Sequence, residues 1–486
     1  MLNPTKFIFS AILLSFFLIF TSCNKKDDPV PDSQKPTIQV GDDIIGMTDI
    51  SYPINITVNN PVGIDPIIKW TMIDAPNGAS HEITKIGKTS FTFITDIAGL
   101  YKVEITASNE QGQSDSGILT LFIGGKLPTS IKNDVVYPNL FDDEAIPDYY
   151  ATRSIEINAG LTLEPGVVIE SGADVRFRVI GTDAYLNAEG TSAKNIIFHG
   201  KDKVKGSWKN LHLASNNVNN KLDFVQILYA GSSEQSGQKT ALFIQNDRDT
   251  RVSIKNTTIK YSDGYGLYVN GDSGNITEFS NNNFSDNAAA PIRFGAMNTY
   301  VLDKNSVFEN NGIQAIELQA GTTTDFNTSG TVVNAGLPYH VYSSFHLKAD
   351  ITFESGVVCR FDKGKGMRIA ADAAIIAIAE SDSIVFEGLV AAQGAWVGMT
   401  IESPSPLNYM DGVIIRHGGD VNGLQGNIHL FGSTPGSQLT IVNSTISDSE
   451  TWGIHSSPGD ADLTQSNNIF FNIPVRTISN FDNKYF

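Results

Sequence analysis

Short runs in which apolar and polar residues alternate recur along most of the chain at a fixed interval. In the middle of the sequence, four such runs start 25, 25 and 24 residues apart, at Leu242, Leu267, Ile292 and Ile316. A parallel series with the same interval contains Ile259, Phe284 and Phe308. Alternation predicts short β-strands, because successive side chains of a strand point to opposite faces. Two short strands that return every ~25 residues, without helical periodicity between them, predict the coils of a solenoid.

The same alternation assigns a face to each residue of these runs. The first and third residues of each run would point inward and stack into an apolar core, whereas Phe243, Tyr268 and Arg293 would point outward. Further along the chain, His429 and His455 occupy the matching outward positions of a second copy of the repeat. Because aromatic rings in a row can stack on sugar rings, these five residues form a candidate ligand-binding face. A surface strand of ordinary β-formers would give the same pattern.

A longer repeat relates two large segments of the chain to each other. The segment Leu161–Gly200 recurs as Ile351–Gly388, and equivalent positions follow in the same order through Trp208 and Trp396, with a shift that falls from 190 to 188 residues. Apolar strand positions and glycine turns are retained, whereas polar positions differ between the copies. This pattern predicts a duplicated scaffold of two related halves, at about 150–320 and 340–486.

Residues 37–125 show alternation of a different kind, in several short runs separated by turn signals such as Pro76-Asn77-Gly78. This spacing predicts a β-sandwich. The run from Asp96 to Tyr101 resembles the corner before strand F of immunoglobulin-like domains, and Tyr101–Gly112 resembles the closing half of a PKD domain. That resemblance implies that the Tyr101 hydroxyl group bonds back to the backbone.

The N-terminus reads as a lipoprotein signal. Residues 1–22 contain Lys6 and an apolar run of 14 residues, Phe7–Phe20, which is short for a membrane span. Small residues before Cys23 resemble the lipobox of bacterial lipoproteins, which implies that Cys23 is lipidated; an ordinary signal peptide with an incidental cysteine is the alternative. Residues 23–36 would then be the linker, and their Lys-Asp-Asp resembles the surface-export signal of Bacteroidetes-type lipoproteins.

Residues 126–486 resemble right-handed parallel β-helices, in particular surface lipoproteins of Bacteroidetes type whose coils carry an "L.LEPGV.I" run. The expected fold is therefore all-β: an Ig-like β-sandwich followed by a right-handed parallel β-helix that contains an internal duplication. The expected location is the outer membrane, with a lipid anchor and surface exposure. The only other cysteine, Cys359, aligns with Ile169 of the first copy and is expected in the core.

The net charge and the sequence motifs limit the partners and reactions that the chain can have. The formal net charge of -18 makes nucleic acid an improbable partner, because phosphate backbones are repelled. The catalytic residues of β-helix lyases and hydrolases are not recognisable in the sequence. The run Arg416–Gly419 lacks paired carboxylates. Its histidine aligns with Tyr229 of the first copy, which indicates a structural corner of the coil. No cofactor or metal is predicted, although weak Ca²⁺ binding in Asp- and Asn-rich loops and a two-histidine site at His429 and His455 remain open.

The sequence thus favours a non-catalytic surface lipoprotein that serves binding or adhesion. Its partners would be the membrane, through the anchor, and a polysaccharide or cell-surface glycan. A polysaccharide lyase or glycoside hydrolase on a β-helix scaffold is the first alternative, since β-helix active sites assemble from distant coils. A structural cell-envelope protein is the second.

Overall fold

The computed structural model describes residues 35–61, 65–246, 249–271, 275–318, 323–420, 426–432, 436–457, 459, 461–474 and 476–479. The predicted signal segment and Cys23 lie outside the described residues, so both the signal and the lipidation site stay predictions. The described part is all-β, with a β-sandwich followed by a right-handed parallel β-helix. This confirms the fold class expected from the alternation and the repeats.

The β-sandwich packs strands from both of its sheets around one apolar core, in which Phe93, Tyr101 and Val103 are fully buried. One sheet contains Ile44–Met47, Ile67–Asp74, Gly99–Ser108 and Ser114–Lys126. The other contains Tyr52–Asn55, Ser90–Thr95 and His81–Lys85. A separate pair is formed by Thr37–Gln39 and Thr57–Asn59.

The predicted tyrosine corner is present. The Tyr101 hydroxyl group donates to the backbone oxygen of Ile97 at 2.6 Å and lies 2.7 Å from the Thr95 hydroxyl oxygen. Because the Tyr101 ring is completely buried, these bonds satisfy a polar group that would otherwise be costly to bury.

The strand Ser114–Lys126, here called the connecting strand, joins the sandwich to the β-helix. It pairs antiparallel with Gly99–Ser108 over most of its length, and its last two residues pair in parallel with Tyr149–Ala151 of the first coil. It therefore runs through residues 125 and 126, where the sequence suggested a boundary. The sandwich thus covers the first edge of the β-helix sheet that contains Tyr149–Ala151, an edge that would otherwise expose unpaired backbone groups.

The described residues of the β-helix form five parallel sheets. The long sheet contains Ser130–Ile131, Ile155–Ile157, Arg176–Ile180, Asn210–Ala214, Thr240–Gln245, Tyr265–Asn270, Ile292–Phe294, Ile316–Leu318, Tyr339–Val341, Val358–Phe361, Ile384–Gly388, Val413–Arg416, Thr445–Ser447 and Ile469–Phe471. The shared sheet continues from the connecting strand through Tyr149–Ala151, Val168–Ser171, Ile196–Gly200, Val225–Leu228, Thr258–Lys260, Asn283–Ser285 and Val307–Glu309.

The other three sheets each belong to one half. The first side sheet contains Val135–Tyr137, Gly160–Leu163, Tyr185–Glu189, Lys221–Asp223, Val252–Lys255 and Ile276–Ser280. The second side sheet contains Gly330–Val332, Ile351–Phe353, Ile375–Ile378, Tyr409–Asp411, Gln438–Val442 and Asp462–Ser466. The C-terminal sheet contains Thr323–Phe326, Ser344–Leu347, Gly366–Ile369, Gly398–Ile401, Ile428–Leu430, Trp452–Ser456 and Arg476–Ser479.

One continuous apolar core runs through both halves, and the repeated positions hold equivalent places in it. Trp208 and Trp396 are fully buried, and each indole Nε1–H donates to a backbone oxygen, of Leu228 at 2.7 Å and of Arg416 at 2.8 Å. Cys359 is buried in the same core, as expected. Asp223 and Asp411 repeat another contact, because each accepts a hydrogen bond from an asparagine amide, at 2.8 and 2.9 Å. The duplication therefore preserves stacking contacts.

The two halves are rotated against each other by one sheet. Ile169 lies in the shared sheet, whereas its equivalent Cys359 lies in the long sheet. Likewise, Arg178 lies in the long sheet and its equivalent Arg368 in the C-terminal sheet. Among the described strands, only those of the long sheet pass through both halves, across the pairing of Glu317 with His340. A 3₁₀ helix, Ala296–Val301, packs against strands of both side sheets at this seam.

Candidate functional site

Outward side chains of the long sheet form one column along both halves. Consecutive partners in this outer column are Glu156, Arg178, His212, Phe243, Tyr268, Arg293, Glu317, His340, Arg360, Glu387 and Arg416. Charges alternate where the column is polar: Glu387 accepts from Arg360 at 2.8 Å and lies 2.6 Å from an Arg416 nitrogen. These pairs offset the burial of Glu387, and the resulting hydrogen bonds hold its pKa below the usual range despite desolvation.

The middle of the outer column is closed, which corrects the expectation of an open aromatic face there. Phe243 points outward from its strand but is 0% exposed, and Tyr268 is buried as well. Both pack with Tyr265 and Ala290 in a small apolar cluster outside the sheet, against which Ile313 also packs. The loops between coils thus fold over the strand face, so Phe243 cannot contact a ligand in this conformation.

Arg293 is held in the same closed region. Its Nη1 donates to the Tyr265 hydroxyl oxygen at 2.9 Å and lies 3.7 Å from Oε2 of the fully buried Glu317. Glu317 also accepts hydrogen bonds from the hydroxyl groups of Tyr265, at 2.8 Å, and of Tyr342, at 2.9 Å. Burial and the Glu317 charge together raise the pKa of Tyr265 to about 12. This cluster joins the two halves at the seam, which makes Arg293 a structural residue.

His429 and His455 do not lie on the same sheet as Phe243, Tyr268 and Arg293. The rotation between the halves places them on the C-terminal sheet, in an outward column that contains Arg368, Thr400, His429 and His455. The expected face of five residues is therefore divided between two sides of the β-helix. Sequence periodicity identified the matching positions correctly but could not show this rotation.

An aromatic platform surrounds the two histidines. It consists of Phe431, His429, His455 and Trp452, with ring centroids 6.1 Å apart for Phe431 and His429, 5.3 Å for the two histidines and 5.7 Å for His455 and Trp452. Phe431 is 44% exposed and Trp452 is partly exposed, so the two ends of the platform are open to solvent. His429 between them is buried, so the surface open to a ligand is formed by Phe431 at one end and by Trp452 and His455 at the other. Exposed aromatic rings suit the stacking of flat apolar surfaces, including sugar rings.

The electrostatics of the platform favour neutral imidazoles. Burial, together with the neighbouring His455, lowers the pKa of His429 to about 4. Its Nε2 lies 2.7 Å from the Ser457 hydroxyl oxygen. Beside the platform, Arg368 forms a bidentate salt bridge with Glu402, with Nε–Oε1 and Nη2–Oε2 distances of 2.9 and 2.8 Å. At neutral pH the platform therefore carries aromatic surface flanked by a compensated ion pair.

A polar cleft lies on the long sheet of the first half, and sequence reasoning missed it. It has a volume of about 520 Å³ and is lined by Arg176, Arg178, His212, Gln235, Ser236, Gln245, Asn246 and Asn270. Three of these residues have equivalents beside or within the platform, since Arg178 and His212 align with Arg368 and Thr400 beside it and Gln245 aligns with Phe431 of the platform itself. Extending the outer column N-terminally from Phe243 would have identified two of them.

Other candidate residues have structural places. His417 has a positive φ of 68°, and its equivalent Tyr229 has a φ of 63°, so both occupy the corner that the alignment indicated. In the described part of the chain, no group of three or more His, Cys, Asp or Glu side chains could hold a metal ion. Across the same residues, no helix is long and apolar enough to cross a membrane.

Comparison with known proteins adds no relative to this description. No protein-family model matches the chain, and neither a curated protein nor a solved structure matches it.

Proposed function

We propose that this chain is a lipid-anchored protein of the bacterial outer membrane that binds glycans at the cell surface without catalysis. The observation that carries the proposal is the aromatic platform of Phe431, His429, His455 and Trp452, whose two ends are open to solvent. Aromatic rings bind sugar rings at a small cost in side-chain entropy, because an aromatic side chain has only two rotatable bonds to order.

The N-terminal part of the chain suits display at a surface. Its tyrosine corner supports kinship with Ig-like and PKD-like modules, which commonly act as spacers. Lys35, the first described residue, lies 3.6 Å from Asp115, at the start of the connecting strand. The tether from Cys23 would thus enter the sandwich at the end opposite the first coil.

A glycan array tests the binding function. We expect the described chain to bind a subset of glycans, and we expect Trp452→Ala and Phe431→Ala to weaken that binding by about tenfold, equivalent to about 1.4 kcal/mol. Phe471→Ala is the matched control, because Phe471 is an exposed phenylalanine of another sheet, at 51% against 44% for Phe431. Equal binding by all three variants would remove the platform from the proposal.

Two further experiments separate the alternatives. Incubation with acidic and neutral polysaccharides, with and without Ca²⁺, should release no shorter products; unsaturated products would establish a lyase instead. Palmitate labelling of the full chain should be lost in Cys23→Ala, and labelling that survives this substitution would refute the anchor. A chain that is anchored but binds no glycan on the array would favour the structural envelope role.

A further inference from the structure

The polar cleft on the long sheet points to a second site with its own ligand chemistry. We propose that it binds an anionic sugar unit, one whose carboxylate or sulfate is held by Arg176 and Arg178. The inference rests on the proposed glycan-binding function, but it concerns residues on another side of the β-helix from the aromatic platform and is tested separately.

Charge is the first support. The only carboxylate paired with either guanidinium group among the described residues is Glu156, which both share: Arg176 Nη2 lies 3.2 Å from its Oε1, and Arg178 Nη1 lies 3.7 Å from its Oε2. Nearby Asp174 accepts hydrogen bonds from two serine hydroxyl groups, and both Lys209 and Arg176 lie within electrostatic reach of it. Among the described residues, Glu156 is therefore the one carboxylate within ion-pair distance of the two guanidinium groups, and Asp174 is a more distant second negative charge that Lys209 also offsets, on a chain whose net charge is -18.

Unused donors are the second support. The Nε–H groups of Arg176 and Arg178 are buried and have no hydrogen-bond partner in the described part of the structure. A guanidinium group carries five N–H donors in a planar fork that matches the two oxygens of a carboxylate or sulfate. These two Nε–H groups are closed to solvent, but the Arg176 and Arg178 side chains are 25% and 26% exposed, so their terminal N–H groups can donate to an anion in the cleft.

The remaining lining suits the hydroxyl groups of a sugar. Four amide side chains and one hydroxyl group complete the cleft, contributed by Gln235, Gln245, Asn246, Asn270 and Ser236. Gln245 Oε1 lies 2.8 Å from His212 Nε2, which leaves the amide NH₂ of Gln245 for a ligand. The cleft volume of about 520 Å³ is within the range of small-ligand sites, about 300–1,000 Å³. Amide groups donate and accept, as sugar hydroxyl groups do.

None of the lining side chains that the structure describes is a carboxylate or an apolar aromatic residue, which distinguishes the cleft from the platform. The two sites occupy equivalent outer faces of the two halves, and Arg178 corresponds to Arg368. In the second half, Glu402 neutralises that arginine through two hydrogen bonds. Divergence after the duplication has thus left an open cationic fork in the first half only, among the pairs described.

Titration calorimetry on the full chain tests this inference, with three probes: trigalacturonic acid, its methyl ester and a sulfated galactose trisaccharide. We expect the acid, the sulfated sugar or both to bind, and the ester to bind at least about tenfold more weakly, since the ester loses the charge-assisted bonds. Arg176→Gln/Arg178→Gln should abolish the preference for the charged probes. Arg178→Lys, which keeps the charge but not the fork, should retain part of it.

Arg360→Gln is the matched control, because Arg360 lies in the same outer column but outside the cleft, and it should leave binding unchanged. If the double variant fails to fold, as judged by circular dichroism, Gln245→Leu replaces it and should weaken binding of the same probes. Equal affinity for acid and ester, no binding of any charged probe, or equal loss in Arg360→Gln would each overturn the inference.

These outcomes are distinguishable from failure of the platform. Loss of neutral-glycan binding in Trp452→Ala with unchanged binding of the charged probes would support both sites. Array binding that depends on Trp452, together with no affinity for any charged probe, would overturn the cleft alone. Charged-probe binding that depends on Arg176 and Arg178, with no effect of the platform variants on the array, would overturn the platform alone.

Discussion

Removal of the Glu317 carboxylate should uncouple the two halves of the β-helix. Glu317 is completely buried at the seam, accepts two tyrosine hydroxyl bonds at 2.8 and 2.9 Å, and lies 3.7 Å from the Arg293 guanidinium group. Hydrogen bonds to a charged group contribute about 1.5–3 kcal/mol each. Breaking a buried pair by removing one partner costs about 3–5 kcal/mol, since the other charge stays behind. Because Arg293 keeps some contact with solvent, we expect Glu317→Ala to lose about 3 kcal/mol of unfolding free energy.

Urea unfolding followed by circular dichroism measures this loss, and hydrogen exchange locates it. Exchange should accelerate first in Ile316–Leu318 and Tyr339–Val341, the two strands that pair across the seam. Glu278→Ala is the control, because its carboxylate is 60% exposed and its pair with Lys255 is worth about 1 kcal/mol at most. A loss in Glu317→Ala no larger than that in Glu278→Ala would refute the reasoning, as would exchange that accelerates uniformly along the solenoid.

Three further changes test other parts of the description. His429 has a folded pKa of about 4 and an unfolded pKa of about 6.5, so the unfolded state takes up the proton first. Stability should therefore fall as pH drops from 6.5 towards 4, by about 3 kcal/mol at most, and urea titrations at pH 7 and 4.5 should show a smaller fall in His429→Gln. Tyr101→Phe should cost about 1–3 kcal/mol of sandwich stability in the same assay, because the buried Thr95 hydroxyl group and the Ile97 backbone oxygen both lose a hydrogen-bond partner. Trp208→Phe and Trp396→Phe should each cost about 2–4 kcal/mol, since both lose a buried hydrogen bond and packing volume; a cost near zero in either would contradict their equivalence.

The architecture was predictable from the sequence because stacking imposes a strict pattern. Inward positions such as Leu242 and Ile244 must stay apolar in every coil, and both are fully buried. The repeated tryptophans and Cys359 could be assigned to the core for the same reason, since a residue retained or replaced by another apolar residue in both copies serves packing. Tyr101 was identified by its local motif, which needs only neighbouring residues to form its hydrogen bond.

The site was harder to predict because it depends on contacts that periodicity does not encode. Alternation gives the direction of Phe243 but not the loop that covers it, and the cover is what buries the ring. The repeat aligns Phe243 with His429, yet the rotation by one sheet separates them onto different sides. The polar cleft draws on loops as well as strands, and Gln235 reaches Arg176 across 59 residues of sequence. No short sequence motif indicates a contact between residues so far apart in the chain.

The connecting strand also determines how an anchored chain would present its surfaces. Strands of a parallel β-helix run across the direction in which coils stack, so this strand, 13 residues and about 40 Å long, enters the first coil crosswise. If the tether reaches the sandwich beside Asp115 and approaches along this strand, the strand would lie along the membrane normal. The solenoid, about 60 Å long at ~4.8 Å per coil, would then extend parallel to the membrane. Its sheet faces would be open to the surroundings, and its C-terminal end would point along the membrane surface.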